Sequence, residues 1–63
     1  MDKKILLVDD AAFMRMLIRN TLTTNGYTNI LEAADGEIAV STYAAEKPDL
    51  VIITGDMAFP VFF

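Results

Sequence analysis

Three aspartates stand where they could act together. Asp9 and Asp10 directly follow the apolar run Ile5-Leu6-Leu7-Val8, and Asp56 follows Leu50-Val51-Ile52-Ile53 by way of Thr54-Gly55. Carboxylates gathered in one crevice repel one another, and a cation or a proton relieves the repulsion. The 63-residue chain has neither His nor Cys, so the available ligands are oxygens. A hard divalent ion such as Mg²⁺ is the matching occupant. Next to a carboxylate it would also screen an incoming phosphoryl group. Each acid has a plainer reading as well. An Asp-Asp pair ahead of a helix serves as an N-cap, and Asp56 beside Gly55 suits a turn. Whether the chain brings the three to one place decides between these readings.

The elements that must position them follow from apolar patterning. Residues 5–8 form a continuous apolar run bounded by charge, which reads as the body of a strand, β1 (residues 4–8), buried on both faces. Over 11–25, Met14, Leu17, Ile18, Thr21 and Leu22 recur with helical period, placing one face of a helix, α1, inward and Arg15, Arg19 and Asn20 away from it. Asp9 or Asp10 is the expected N-cap, and Asn25-Gly26 the stop, with Gly26 as left-handed cap. Residues 30–33 are a shorter, edge-like strand, β2. Asp35-Gly36 turns the chain into a second helix, α2, over 37–46, with Ala39, Val40 and Tyr43 as its inward residues. Lys47-Pro48 closes it, since the residue before Pro leaves helical space. Residues 50–54 form the third strand, β3.

Strands alternating with helices mean an α/β domain with a parallel sheet. β1 and β3 are the most apolar and belong side by side, which with right-handed crossovers gives the order 2-1-3 and a helix layer on each face. Ligands of such sheets bind outside the C-terminal strand ends, where the winding reverses. Asp9, Asp10 and Asp56 all fall there.

Composition removes several functions. Net charge is −4 with only 5 Lys and Arg, which speaks against a nucleic-acid surface or an anionic membrane. No apolar run approaches the roughly 18 residues of a membrane span, and Ile5 to Val8 is too short for a signal peptide, so a cytoplasmic location is expected. No Gly-rich phosphate loop follows β1, which argues against a nucleotide-binding protein.

Several motifs resemble a known family. Lys4-Ile5-Leu6-Leu7-Val8-Asp9-Asp10-Ala11-Ala12-Phe13-Met14-Arg15 resembles the start of a response-regulator receiver domain of the chemotaxis CheY type. Glu32-Ala33-Ala34-Asp35-Gly36-Glu37-Ile38-Ala39-Val40 resembles its second strand and the turn into its second helix, and Lys47-Pro48-Asp49-Leu50-Val51-Ile52 resembles the approach to its third strand. The likeness covers about residues 3–53 with spacing intact. It implies a flavodoxin-like (CheY-like) half-fold. It also implies phosphorelay signal transduction rather than an enzyme of its own, with a histidine kinase as partner, Mg²⁺ held by Asp10 with Asp9 as second acid, and an acceptor Asp at the end of β3.

Two departures follow. Counting from Pro48, the acceptor position is Thr54, which cannot form an acyl phosphate. Asp56-Met57-Ala58-Phe59-Pro60 keeps an Asp-x-x-x-Pro pattern displaced by two residues, or about 6–7 Å along a strand, so Asp56 is a re-sited acceptor unless the acceptor is lost. A bulge or loop could absorb part of the shift. The family's two later strands, three later helices, Thr or Ser and Lys have no counterpart here. The expectation is therefore a truncated receiver (1–63) without full phosphoacceptor activity. Its divergent apolar tail, 55–63, carries Phe59, Phe62 and Phe63. An uncovered apolar β3 edge invites pairing, so a homodimer through β3 and the tail is expected. The alternative is a self-associating structural half-domain with no signalling role.

Overall fold

The computed structural model describes residues 3–54. Gly55 to Phe63, and with them Asp56 and the expected dimer-forming tail, lie outside the described residues.

The five expected elements form, with ends shifted by a residue: β1 Ile5–Val8, α1 Ala12–Thr24, β2 Ile30–Ala33, α2 Gly36–Glu46 and β3 Leu50–Ile53. The sheet is parallel in the order β2-β1-β3. Ile5 lies between Ile30 and Leu50, and Val8 between Ala33 and Ile53. All four β1 residues are buried. A central parallel strand meets helices on both faces, which is why its sequence is an unbroken apolar run.

Side-chain alternation along the strands assigns each helix a face. Leu6, Val8 and Ala33 form one cluster with Ala39 of α2, joined by Leu31 and Val51. Glu32 lies on the opposite face with its register partner Leu7, and there it meets Arg15 and Arg19 of α1. The helices therefore cover opposite faces.

Both helices present different residues to the sheet than apolar periodicity predicts. On α1, Met14 and Leu17 are exposed (41% and 42%), as is Thr21, whereas Arg15, Ile18, Arg19 and Leu22 are half-buried. The inward stripe is rotated towards the arginines. Their apolar stems cover sheet surface while their guanidinium groups reach the Glu32 carboxylate. On α2, Ala39 is buried as expected, but Val40 and Tyr43 are exposed; Gly36, Ala39 and half-buried Thr42 face inward. Small residues three apart let this helix approach Leu6 and Val8 closely.

The helix ends follow local chemistry. Gly26 takes φ +91°, its N–H donates to the Thr23 carbonyl, and Tyr27 N–H donates to the Leu22 carbonyl. This is the paired bonding of a glycine-stopped helix. Asp35 caps α2 by accepting from Ile38 N–H at 2.8 Å. Lys47, the C-cap of α2, leaves the right-handed helical region ahead of Pro48 by taking the left-handed one (φ 47°). At the opposite end of the sheet from the acids, Lys4 Nζ donates to the Glu46 carbonyl and carboxylate, and Lys4 N–H to Asp49 Oδ2. These bonds tie the start of β1 to the turn that launches β3.

The rotated α1 face gives a direct test. Leu7, fully buried on β1, should lose about 2–5 kcal/mol of stability as Leu7→Ala, and Leu17→Ala should stay within about 0.5 kcal/mol. Urea unfolding curves of the two variants would refute the packing if their losses were equal.

Candidate functional site

The strand ladder continues past the formal ends of the sheet. Asp9 N–H donates to the Ala33 carbonyl at 3.2 Å, and Thr54 N–H donates to the Val8 carbonyl at 3.0 Å. Asp9 and Thr54 are thereby held side by side at the C-terminal end of the sheet, where parallel α/β sheets place their ligands.

Asp9 is the buried acid of the pair, 2% exposed. Both of its oxygens are engaged. Oδ1 accepts from Ala11 N–H at 2.7 Å, and Oδ2 accepts from the Thr54 hydroxyl. An Asp bonded to the N–H two residues on forms its own turn. This corrects the expected N-cap: the residue at the N-cap of α1 is Ala11, with no side-chain cap, and the first turn holds no acid. The Asp9 carboxylate bonds one residue too early to cap the helix and instead shapes the turn that carries Asp10. Asp10 is exposed.

Hydrogen bonds favour the charged form of Asp9. The Thr54 hydroxyl lowers its pKa most, and the Ala11 amide lowers it further; together they outweigh burial, which raises it, and Arg15 adds a favourable charge. Asp9 is thus held below the usual carboxylate range and is ionised at neutral pH.

The arrangement of basic side chains is the feature sequence reasoning missed. Arg15 Nε donates to Glu32 Oε1 at 2.9 Å, while its Nη1 donates to the Asp9 backbone carbonyl at 2.5 Å. Arg19 holds the other Glu32 oxygen, Nε to Oε2 at 2.7 Å. Burial raises the Glu32 pKa, but the two guanidinium groups outweigh it and hold the carboxyl low. The signal was present in the sequence: arginines four apart on α1 and a lone acid at an otherwise apolar position of β2.

Sequence-expected site residues therefore divide. Asp9 and Asp10 adjoin at the end of β1, with Thr54 beside Asp9. Asp56 lies outside the described residues, and among those residues no group of three Asp, Glu, His or Cys converges as a metal site. The donor set nonetheless suits Mg²⁺, which takes one or two carboxylates and keeps several waters. Asp9 is ionised, and Asp10 is open to solvent.

Because the Asp9 pKa is lower in the folded chain than in the unfolded one, the stability it contributes is fully present above about pH 4. That stability is lost as pH falls through the folded value. Thr54→Val removes the largest cause. The Asp9 carboxyl should then titrate at higher pH by carbon-detected NMR, and acid unfolding should begin at higher pH. Thr54→Ser should behave as the parent chain, and an unmoved Asp9 titration in Thr54→Val would contradict the assignment.

Comparison with known proteins agrees with this geometry. The response regulator receiver domain family matches residues 5–60. "Chemotaxis protein CheY" of Bacillus subtilis (strain 168) is 48% identical over 60 residues, covering 95% of this chain and 48% of that protein. The CheY of Thermotoga maritima is 47% identical over 60 residues, with the same coverage. The "Alkaline phosphatase synthesis transcriptional regulatory protein PhoP" of B. subtilis is 42% identical over 53 residues, 84% of this chain and 22% of that protein. The chain spans about half the length of the chemotaxis relatives it matches. With a β2-β1-β3 parallel sheet, helices on both faces and an acidic pair at the end of its buried strand, it belongs to the response regulator receiver domain family.

Proposed function

We propose that this chain serves two-component signalling as a receiver sequence that holds Mg²⁺ through Asp9 and Asp10 but does not accept a phosphoryl group, because position 54 is no carboxylate. The observation that carries the second half is the Thr54 hydroxyl donating to Asp9 Oδ2. At the strand end facing the acids, where an acyl phosphate needs a carboxylate, the chain places a hydroxyl already committed to a neighbour. An alcohol there cannot yield the labile mixed anhydride on which a reversible phosphorelay depends.

When bound, Mg²⁺ screens phosphoryl oxygens from nearby carboxylates. The chain's own residues do the rest. Thr54 and Ala11 keep Asp9 charged, and the Asp9 turn presents Asp10 to solvent. A histidine kinase is the partner this reading implies, through α1 and the loops around the acids. The setting is cytoplasmic, and among the described residues no helix is long and apolar enough to cross a membrane. On this reading the chain is no enzyme. Asp56, with its Asp-x-x-x-Pro spacing to Pro60, is the competing acceptor.

Incubation with acetyl phosphate and Mg²⁺ separates the two acceptor readings. Intact-mass analysis should show no hydroxylamine-sensitive phosphoryl adduct on the parent chain. An adduct that disappears in Asp56→Asn would overturn the reading and assign the acceptor to Asp56.

A second reading, a self-associating structural module without signalling, is favoured by β3. Among the described residues β3 pairs only with β1, and its Leu50 and Ile53 are exposed at 51% and 41%. An apolar strand edge of this kind recruits a second strand. Sedimentation velocity at micromolar concentration should give a dimer mass if this holds, and a folded monomer would exclude it.

A further inference from the structure

We infer that Arg15 is a positioning residue for the acidic pair, and that Glu32 on β2 sets Arg15 in place. The inference deepens the Mg²⁺ reading above and names residues outside the pocket on which that pocket depends.

The geometry is specific to one of the two arginines. Arg15 and Arg19 sit one turn apart on α1, and both donate to Glu32, one to each carboxylate oxygen. Only Arg15 continues to the pocket, through Nη1 to the Asp9 carbonyl. Arg19 turns the other way, its Nη2 lying 3.4 Å from the Ile30 carbonyl at the far end of β2. Arg15 is also the more enclosed, its side chain 15% exposed against 40% for Arg19. A guanidinium is a rigid planar fork, so fixing one edge on Glu32 fixes where the other edge points.

That second edge acts on the peptide joining Asp9 to Asp10. The Asp9 carboxylate is restrained by Ala11 and Thr54. The Asp10 carboxylate is exposed, and its placement depends on the orientation of the Asp9–Asp10 peptide. Arg15 holds the carbonyl of that peptide. Partners hydrogen-bonded directly to metal-holding side chains typically matter 10- to 100-fold in metal affinity; Arg15 acts through the backbone, one step further out, and belongs at the low end of that range.

Arg19 supplies the control. Arg15→Met and Arg19→Met each remove one guanidinium from the same Glu32, and both should lower the urea midpoint. Only Arg15→Met should loosen the pocket. Two readouts follow, the second independent of metal: the Mg²⁺ dissociation constant from amide-shift titration, and hydrogen exchange of the Ala11 amide, which reports the Asp9 turn.

The expected result is an Mg²⁺ affinity about tenfold weaker in Arg15→Met, with faster Ala11 exchange, and neither change in Arg19→Met. Arg15→Lys, a point charge without the fork, should fall between the parent chain and Arg15→Met and serves as the folded variant if Arg15→Met does not fold. Equal Mg²⁺ affinity and equal Ala11 exchange in the two methionine variants would overturn the inference. Should the parent chain itself fail to bind Mg²⁺, the metal reading falls, and Ala11 exchange alone decides whether Arg15 holds the turn.

Discussion

The complete burial of β1 is the constraint from which the rest of this structure follows. Ile5, Leu6, Leu7 and Val8 can exclude water only with a strand on each side and a helix on each face. The parallel sheet and the two crossover helices meet that requirement. The same burial delivers Asp9, the next residue, to a water-poor position at the sheet's end. A carboxylate there must be hydrogen-bonded or protonated, and the chain keeps it charged with an amide on one oxygen and a hydroxyl on the other. The apolar core and the charged site are thus one arrangement, joined at the Val8–Asp9 peptide.

Energetic weights separate scaffold from site. Ion pairs in contact with solvent, as the half-buried Arg15 and Arg19 pairs with Glu32 still are, contribute on the order of 1 kcal/mol each, whereas truncating one buried Leu costs about 2–5 kcal/mol. The arginines on Glu32 are therefore not what makes the sheet fold. Their effect is geometric: both join α1 to β2 through Glu32, and Arg15 alone reaches on to the turn after β1. On this view a charged cluster on the sheet face and an acidic pair at the sheet end act as one unit, with the Arg15 guanidinium as the link.

Much of this was legible from residue types. The run at Ile5–Val8 identified the central strand, Gly26 marked the end of α1, and apolarity set the strand order. The helix faces were not legible. Period-3.6 reasoning counts apolar side chains, and α1 turns inward on two arginines whose partner lies on a strand distant in sequence. On α2, packing against β1 favours the small residues Gly36, Ala39 and Thr42 over the larger Val40 and Tyr43. The acidic pair was found, but its expected capping role was not, because the choice between bonding Ala11 and bonding the helix's first turn is made by backbone direction. The family resemblance, counted from Pro48, placed the acceptor position at Thr54; the bond from its hydroxyl to Asp9 could not be read from residue types, because it joins groups 45 residues apart in sequence.

The family assignment gives these details their meaning. In a receiver sequence, the end of β3 is where a carboxylate is expected, and this chain presents a hydroxyl that completes the hydrogen bonding of Asp9. On the proposed reading, cation holding and phosphoryl acceptance are separable, the first assigned to Asp9 and Asp10 and the second decided by the residue at the end of β3. The most direct test is a Mg²⁺ titration of the full chain followed by amide shifts. The account predicts saturable changes centred on Asp9, Asp10, Ala11 and Thr54 that vanish in Asp10→Asn. Changes centred elsewhere, or unaffected by that substitution, would contradict it.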